Sequence, residues 1–194
     1  MSEIKQGIFK RLPRGDGLLL DPAASFRDGP TNIHVPNQLA RQYQLVDGAS
    51  VSGPVKSGSR GLQLEEVNSI CELPPDSFQK RTPYTQLTAV DPCDRFRLSA
   101  SSIASARIID LIAPIGRGTR AMVVSPPKAG KTTILQEIAK AIKQDAPETR
   151  IIALLIDQQP EEVTYLRHAV DAEVLASSSD QSVQEHVDLA ELTL

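Results

Sequence analysis

Ser125-Pro126-Pro127-Lys128-Ala129-Gly130-Lys131-Thr132-Thr133 decides the fold of the second half of this chain. It follows an apolar run, Ala121-Met122-Val123-Val124, whose composition predicts a short strand. It opens a stretch from Lys131 to Gln144 with apolar residues at Ile134, Leu135, Ile138, Ala139 and Ile142, which is helical spacing. Strand, loop and helix in that order are the setting that a phosphate-binding loop needs. Gly130 allows the backbone to approach a phosphate closely. The amides of Ala129 to Thr133 would point at the phosphates, helped by the positive end of the helix. Lys131 would neutralise the β and γ phosphates, and Thr132 would place its hydroxyl on Mg²⁺. Against the pattern G-x-x-x-x-G-K-[ST], Ser125 stands where the first glycine belongs. Serine is small, so the match is weakened without being broken. The competing reading is a chance Gly-Lys-Thr at a helix start, and the strand–loop–helix order weighs against it.

Working outward from the loop, Ile151-Ile152-Ala153-Leu154-Leu155-Ile156 is a continuous apolar run, as in a parallel strand buried on both faces. Pro160 suits the first turn of a helix reaching about Val170. Val174-Leu175-Ala176 predicts a further strand, and Val183 to Leu194 begins another helix. The order is βαβαβα, which implies a parallel α/β sheet. The sequence stops inside the last helix with no breaker, and the expectation is a truncated domain. Asp157, at the carboxyl end of a parallel strand, faces the ligand crevice of such sheets and is a candidate for water or metal contact. Glu161 and Glu162 have a plainer explanation, because acids favour a helix's first turn. Ahead of the loop, Pro114-Ile115-Gly116-Arg117-Gly118-Thr119-Arg120 permits a tight turn. Its two arginines either reach phosphates or a neighbouring subunit, or sit in a solvated basic turn.

The first hundred residues differ in character. Gly7-Ile8-Phe9, Leu18-Leu19-Leu20, Asn32-Ile33-His34-Val35, Ala49-Ser50-Val51-Ser52 and Leu62-Gln63-Leu64 read as strands. Arg14-Gly15-Asp16-Gly17, Asp28-Gly29-Pro30, Asp47-Gly48 and Ser57-Gly58-Ser59 punctuate them as turns. Short strands at this spacing suggest a small barrel of the OB or cold-shock type. A generic β domain with no ligand is the alternative, since fold does not give function. Pro74-Pro75, Pro83 and Pro92, with Ser99-Ala100-Ser101-Ser102, read as a connector. The expected fold is therefore an α+β two-domain chain. A barrel spans 1–73, a linker 74–106, and the first part of a P-loop α/β domain 107–194.

Composition narrows the function. The chain has 194 residues, 40% hydrophobic and 23% charged, as in an ordinary globular protein. A net charge of −3 excludes a generally basic nucleic-acid coat but leaves room for a local basic groove. Aromatic residues make up only 4%, which bears on single-strand binding because bases are usually held by stacking on rings. Cys71 and Cys93 have no Cys or His at metal-ligand spacing, and two cysteines make no disulfide framework, so buried thiols in a reducing cytosol are expected. No apolar run approaches a membrane span and the start lacks a signal peptide's apolar stretch, so the expected location is the cytoplasm.

Together these residues resemble bacterial transcription termination factor Rho. The resemblance rests on Pro126-Pro127-Lys128-Ala129-Gly130-Lys131-Thr132 after Ala113-Pro114-Ile115-Gly116-Arg117-Gly118. It continues through Asp157 to Val163 and through Glu173-Val174-Leu175-Ala176-Ser177 with His186-Val187. It implies a cold-shock-type RNA-binding domain followed by a RecA-like ATPase. It also implies a homohexameric ring that uses ATP and Mg²⁺ to pull single-stranded RNA and release transcripts, acting on RNA polymerase indirectly, with no membrane involved. The family's nucleotide contacts fall on Gly116, Arg117, Gly118, Thr119, Arg120 and Ala121, and on Lys128, Ala129, Gly130, Lys131, Thr132 and Thr133. Ala121 replaces a glycine of the family.

Two departures follow the strand at Ile151–Ile156. The family's catalytic Glu falls on Gln158, and an Arg contact falls on Gln159. An amide cannot take a proton from the attacking water, although it can still orient one. Further departures lie in the RNA-binding segments. The first falls on Gly15, Asp16, Gly17 and Leu18, where the family reads Gly-Phe-Gly-Phe. The second falls on Asn32, Ile33 and His34, with His34 for a Tyr. The third falls on Ser59, Arg60 and Gly61, with Gly61 for a Tyr beside the retained Arg60. Losing rings and adding Asp16 predicts weak RNA binding, with His34 still able to stack. By the resemblance, no helical subdomain is expected ahead of the barrel, and a later Mg²⁺-binding Asp, the central RNA loops and the arginine finger are expected to lie beyond Leu194. Two readings stand: an RNA-dependent ATPase and translocase of transcription termination, or a degenerate, non-catalytic nucleotide-binding module that associates with a complete Rho ring.

Overall fold

The computed structural model describes residues 3–27, 29, 31–58, 61–126 and 128–194. Five strands form the first architectural feature: β1 (Glu3–Arg11), β2 (Gly17–Leu20), β3 (Ile33–Val35), β4 (Ser50–Gly58) and β5 (Gly61–Leu64). All five expected runs are strands. They are joined in the order β1-β2-β3-β5-β4, and β4 pairs back onto β1 to close the barrel. Every pairing is antiparallel except β3 with β5, where His34 lies opposite Gln63 in a parallel pair. The helix α1 (Asn37–Gln42) lies between β3 and β4 in sequence. This is the arrangement of an OB-like barrel.

Alternation explains which side chains enter the barrel. Phe9, Leu19, Ile33, Val35, Val51, Val55 and Leu64 are buried, while their strand neighbours Lys10, Leu18, His34, Lys56 and Gln63 face outward. Gly17 sits on β2 against the Phe9 ring, and a Cβ there would run into the ring. A two-residue strand, β6 (Ser69–Ile70), adds to β4. The helix α2 (Pro75–Gln79) drops Phe78 into the same core. The sequence reading set no regular structure there. Pro75 occupies the first helical turn, where a missing N–H costs no hydrogen bond.

The remaining elements are α3 (Ala104–Ile112), α4 (Lys131–Asp145), β7 (Ile152–Gln158), α5 (Pro160–Ala169), β8 (Glu173–Ser178) and α6 (Val183–Thr193). β7 and β8 pair as a parallel sheet with α5 as the crossover. Two expectations need correction. Ala121–Val124 is not a strand: among the described residues no backbone hydrogen bond joins it to a partner, and Met122 and Val124 are exposed. An apolar run becomes a strand only when a ladder accepts it. Likewise, β7 is not buried on both faces, since Ile152 and Ile156 are exposed and β8 is its one partner among the described residues. The thiols are corrected too. Cys71, on the left-handed turn after β6, and Cys93, in the coil before α3, are both free and exposed.

The chain divides into two compact units. One contains Met1–Leu87, Leu154–Gln158 and Leu175–Leu194, so β8 from Leu175 onward and α6 belong with the barrel. Within it, Lys10 Nζ donates to Asp188 Oδ2 at 2.7 Å, and the Ala176 amide donates to Ser25 Oγ at 3.1 Å. The other contains Thr88–Ala153 and Gln159–Val174, with a core of Leu98, Ala106 and Ala141 flanked by Phe96, Ile103, Ile109, Ile115 and Ile142.

Candidate functional site

Two surfaces carry the sequence-derived candidates, one in each unit. On the barrel, register places Lys10 beside Leu18, Leu18 beside His34, His34 beside Gln63, and Gln63 beside Lys56. Paired residues share a face, so these five form one outward row across β1, β2, β3, β5 and β4. An OB barrel binds oligonucleotides on this strand 2–3 face, with help from the β1–β2 and β4–β5 loops. The first loop contains Gly15, at φ 91, and Asp16. The second holds Ser59 and Arg60, which lie outside the described residues, followed by Gly61 at φ 104 with open space around it.

Asp16 and His34 meet on this face: Asp16 Oδ2 lies 2.9 Å from His34 Nε2, and both side chains are largely covered. Leu18 is half-buried beside them. Asn32 precedes β3, and its amide donates to Gly29 O. Ile33 points into the core at 4% exposure, so only its backbone faces a ligand. Sequence reasoning missed Lys10, Gln63 and Lys56. Their signal was the period-2 alternation of β1, β4 and β5, which fixes the outward positions once the register is known.

In the second unit, Gly130 caps α4 at φ 84 and Lys128 takes φ 60. The helix begins at Lys131 without a side-chain cap, leaving its first amides for another acceptor. Lys128, Ala129, Gly130, Lys131, Thr132 and Thr133 are all exposed; Pro127 lies outside the described residues. Upstream, Gly116 to Thr119 form a turn closed by the Thr119 amide on Gly116 O at 3.0 Å, with Gly118 at φ 102 in the third position, as a type II turn requires. Thr119 Oγ1 accepts from the Gly116 amide. Arg117 is engaged locally: its Nε lies 3.1 Å from Asp94 and its guanidinium stacks 4.5 Å from the Phe96 ring centre. Arg120 and Ala121 are exposed.

The strand-end candidates are placed by β7 and α5. Gln158 is half-buried, and its amide donates to Ile156 O at 3.3 Å. Gln159 caps α5, where its carbonyl accepts from the amides of Glu162 and Val163. Asp157 takes φ 56, so strict alternation between it and Gln158 does not hold at this strand end. Among the described residues no cluster of three or more His, Cys, Asp or Glu side chains is gathered to hold a metal.

Comparison with known proteins covers both units. Residues 105–187 match the ATP synthase alpha/beta family, nucleotide-binding domain. Transcription termination factor Rho of Chromobacterium violaceum is 38% identical over 97% of this chain and 47% of its own length. The chain is a Rho relative. Rho of Haemophilus influenzae and Rho of Escherichia coli are each 36% identical over 97% of this chain and 46% of their own length. The chain spans about half the length of the curated Rho proteins it matches. The likeness runs through both the barrel and the nucleotide-binding domain. Among the described residues no helix is long and apolar enough to cross a membrane.

Proposed function

We propose that this Rho relative binds ATP at Lys128–Thr133 and single-stranded RNA on the barrel face, and serves transcription termination as part of an RNA-dependent ATPase and translocase. The observation that carries the reading is the uncapped start of α4 behind Gly130-Lys131-Thr132. The residues suit a nucleoside triphosphate: open space lies where a side chain at Gly130 would stand, and the uncapped amides and Lys131 match phosphate charge. Thr132 would hold Mg²⁺ together with the phosphates, and the bound ion would supply charge neutralisation there. Lys131 and the amides bind and orient, with Gly116–Ala121 and Gln159 as further nucleotide contacts. Gln158 orients water through its amide oxygen without accepting its proton. Residues 1–73 act as the RNA-binding domain, 74–106 as the linker and 107–194 as the start of the ATPase domain, working as a homohexamer in the cytoplasm, with RNA polymerase as an indirect partner.

A second reading has its own support. Gln158 in the acid's position, and Asp16 holding His34 on the barrel face, favour a non-catalytic module that binds nucleotide and associates with a complete Rho ring. Titration of a fluorescent ATP analogue against the chain and its Lys131→Ala variant tests the nucleotide site. We expect a loss of at least about tenfold on removing the ammonium; equal affinities overturn the site. ATP turnover then separates the readings. With RNA present, steady turnover that rises in Gln158→Glu, toward the roughly 10² to 10⁴ that a general base supplies, supports the ATPase. Binding without turnover in both proteins supports the module.

A further inference from the structure

Next to the barrel, within the same compact unit, a cavity of about 470 Å³ lies between the segment Ser25–Arg27, strand β8 and helix α6. That volume is in the range of small-molecule sites. Phe26, Ala176, Leu189 and Leu192 line it with apolar surface. Ser177 also borders it but is only 1% exposed, with its hydroxyl closed off from the cavity.

The charged lining shows which chemistry fits. Lys10 and Arg27 stand against Asp180, Glu185 and Asp188, two cations against three carboxylates. Asp188 is already engaged, taking Lys10 on one oxygen and Gln184 on the other, each at 2.7 Å. Glu185 is spent on the capping box of α6, where Ser182 donates its amide and hydroxyl to it. Asp180 keeps capacity for a cation. Its carboxyl is held below the usual range by Ser178 first, then its own backbone, with a smaller contribution from Arg27, so it is ionised at neutral pH. Arg27 gives one N–H to Gln181 at 3.2 Å and has four more in its fork. A dianionic phosphate would meet the surplus of carboxylates, and a simple amine would leave Arg27 unused.

We propose that this cavity binds a small zwitterion, an amino acid or dipeptide with an apolar side chain. The ligand's ammonium lies on Asp180, its carboxylate lies on Arg27, and its side chain packs against Phe26, Leu189 and Leu192. The site is separate from the nucleotide loop and from the outward row of the barrel.

Calorimetric titration of the full chain with L-phenylalanine, N-acetyl-L-phenylalanine, L-phenylalaninamide and adenosine monophosphate tests it. L-phenylalanine is expected to saturate, and blocking either end to weaken binding by about tenfold. Asp180→Asn should erase the advantage of the free amine and Arg27→Gln that of the free carboxylate. Failure of L-phenylalanine to saturate at about 20 mM, far above a millimolar dissociation constant, overturns the proposal. So does binding insensitive to Asp180→Asn and Arg27→Gln in folded variants, or a preference for adenosine monophosphate lost in those variants.

Discussion

Asp16 and His34 show how one substitution alters a binding face. A ring at position 16 would offer a stacking surface worth about 1–3 kcal/mol per base. The carboxylate instead sits 2.9 Å from His34 Nε2, so the imidazole edge is committed to its neighbour and a negative charge lies on the face proposed for RNA. Asp16→Asn keeps the size and removes the charge. We expect it to tighten binding of oligo-cytidine severalfold at physiological salt, and Asp16→Phe with Leu18→Phe to tighten it by roughly 1–3 kcal/mol for each stack restored. Fluorescence anisotropy with a labelled oligonucleotide measures both. Tight binding by the parent chain, unmoved by Asp16→Asn, would place the RNA face elsewhere.

Elements decide how much was legible. The five barrel strands were readable because each carries an apolar pair or triplet between Gly, Pro or Asp punctuation, and Leu18-Leu19-Leu20 or Asn32–Val35 needs no partner to be recognised. Gly130-Lys131-Thr132 was readable because a loop of fixed chemistry precedes a helix of fixed period. The short helix Asn37–Gln42 was not, because six residues with one buried alanine hold less than two turns of pattern. The helix Ala104–Ile112 was passed over because it straddles what composition marked as linker. Ala121–Val124 went wrong for another reason: composition records the tendency to pair, while the strand needs a partner that composition does not contain. The Asp16–His34 contact joins a loop to a neighbouring strand and was visible only in the register. Gly17 tests the barrel at this scale. A Cβ there would enter the Phe9 ring, so Gly17→Ala should cost about 1–3 kcal/mol by overpacking. Urea unfolding followed by circular dichroism measures the loss. A barrel as stable as the parent would show that Phe9 is free to move aside, against its 0% exposure.

Across the whole molecule, both compact units are tied by carboxylates that ionise more readily in the folded chain. Asp110 is lowered mainly by hydrogen bonds from Ser99, and Asp145 mainly by the Arg97 amide at 3.0 Å. In the barrel's unit, Asp180 is lowered by Ser178, Glu185 by Ser182 and Asp188 by Lys10. A group whose folded value lies below its unfolded one stabilises the fold above the unfolded carboxylate range. That contribution is lost as the pH falls through the folded value. Both units should therefore weaken on acidification. The exposed carboxylates should matter less than Asp110 and Asp145, whose side chains are only 3% and 8% exposed, because water and salt screen surface charge. Asp145→Asn isolates the effect: the amide cannot accept as a charge from the Arg97 amide and guanidinium. At about pH 7 the variant should unfold at lower urea than the parent, and the two midpoints should approach one another as the pH falls below about 4, the unfolded carboxylate range, toward the lowered folded value. If the gap persists undiminished at low pH, the Asp145 contribution is packing rather than charge, and the acid sensitivity of this unit must come from Asp110.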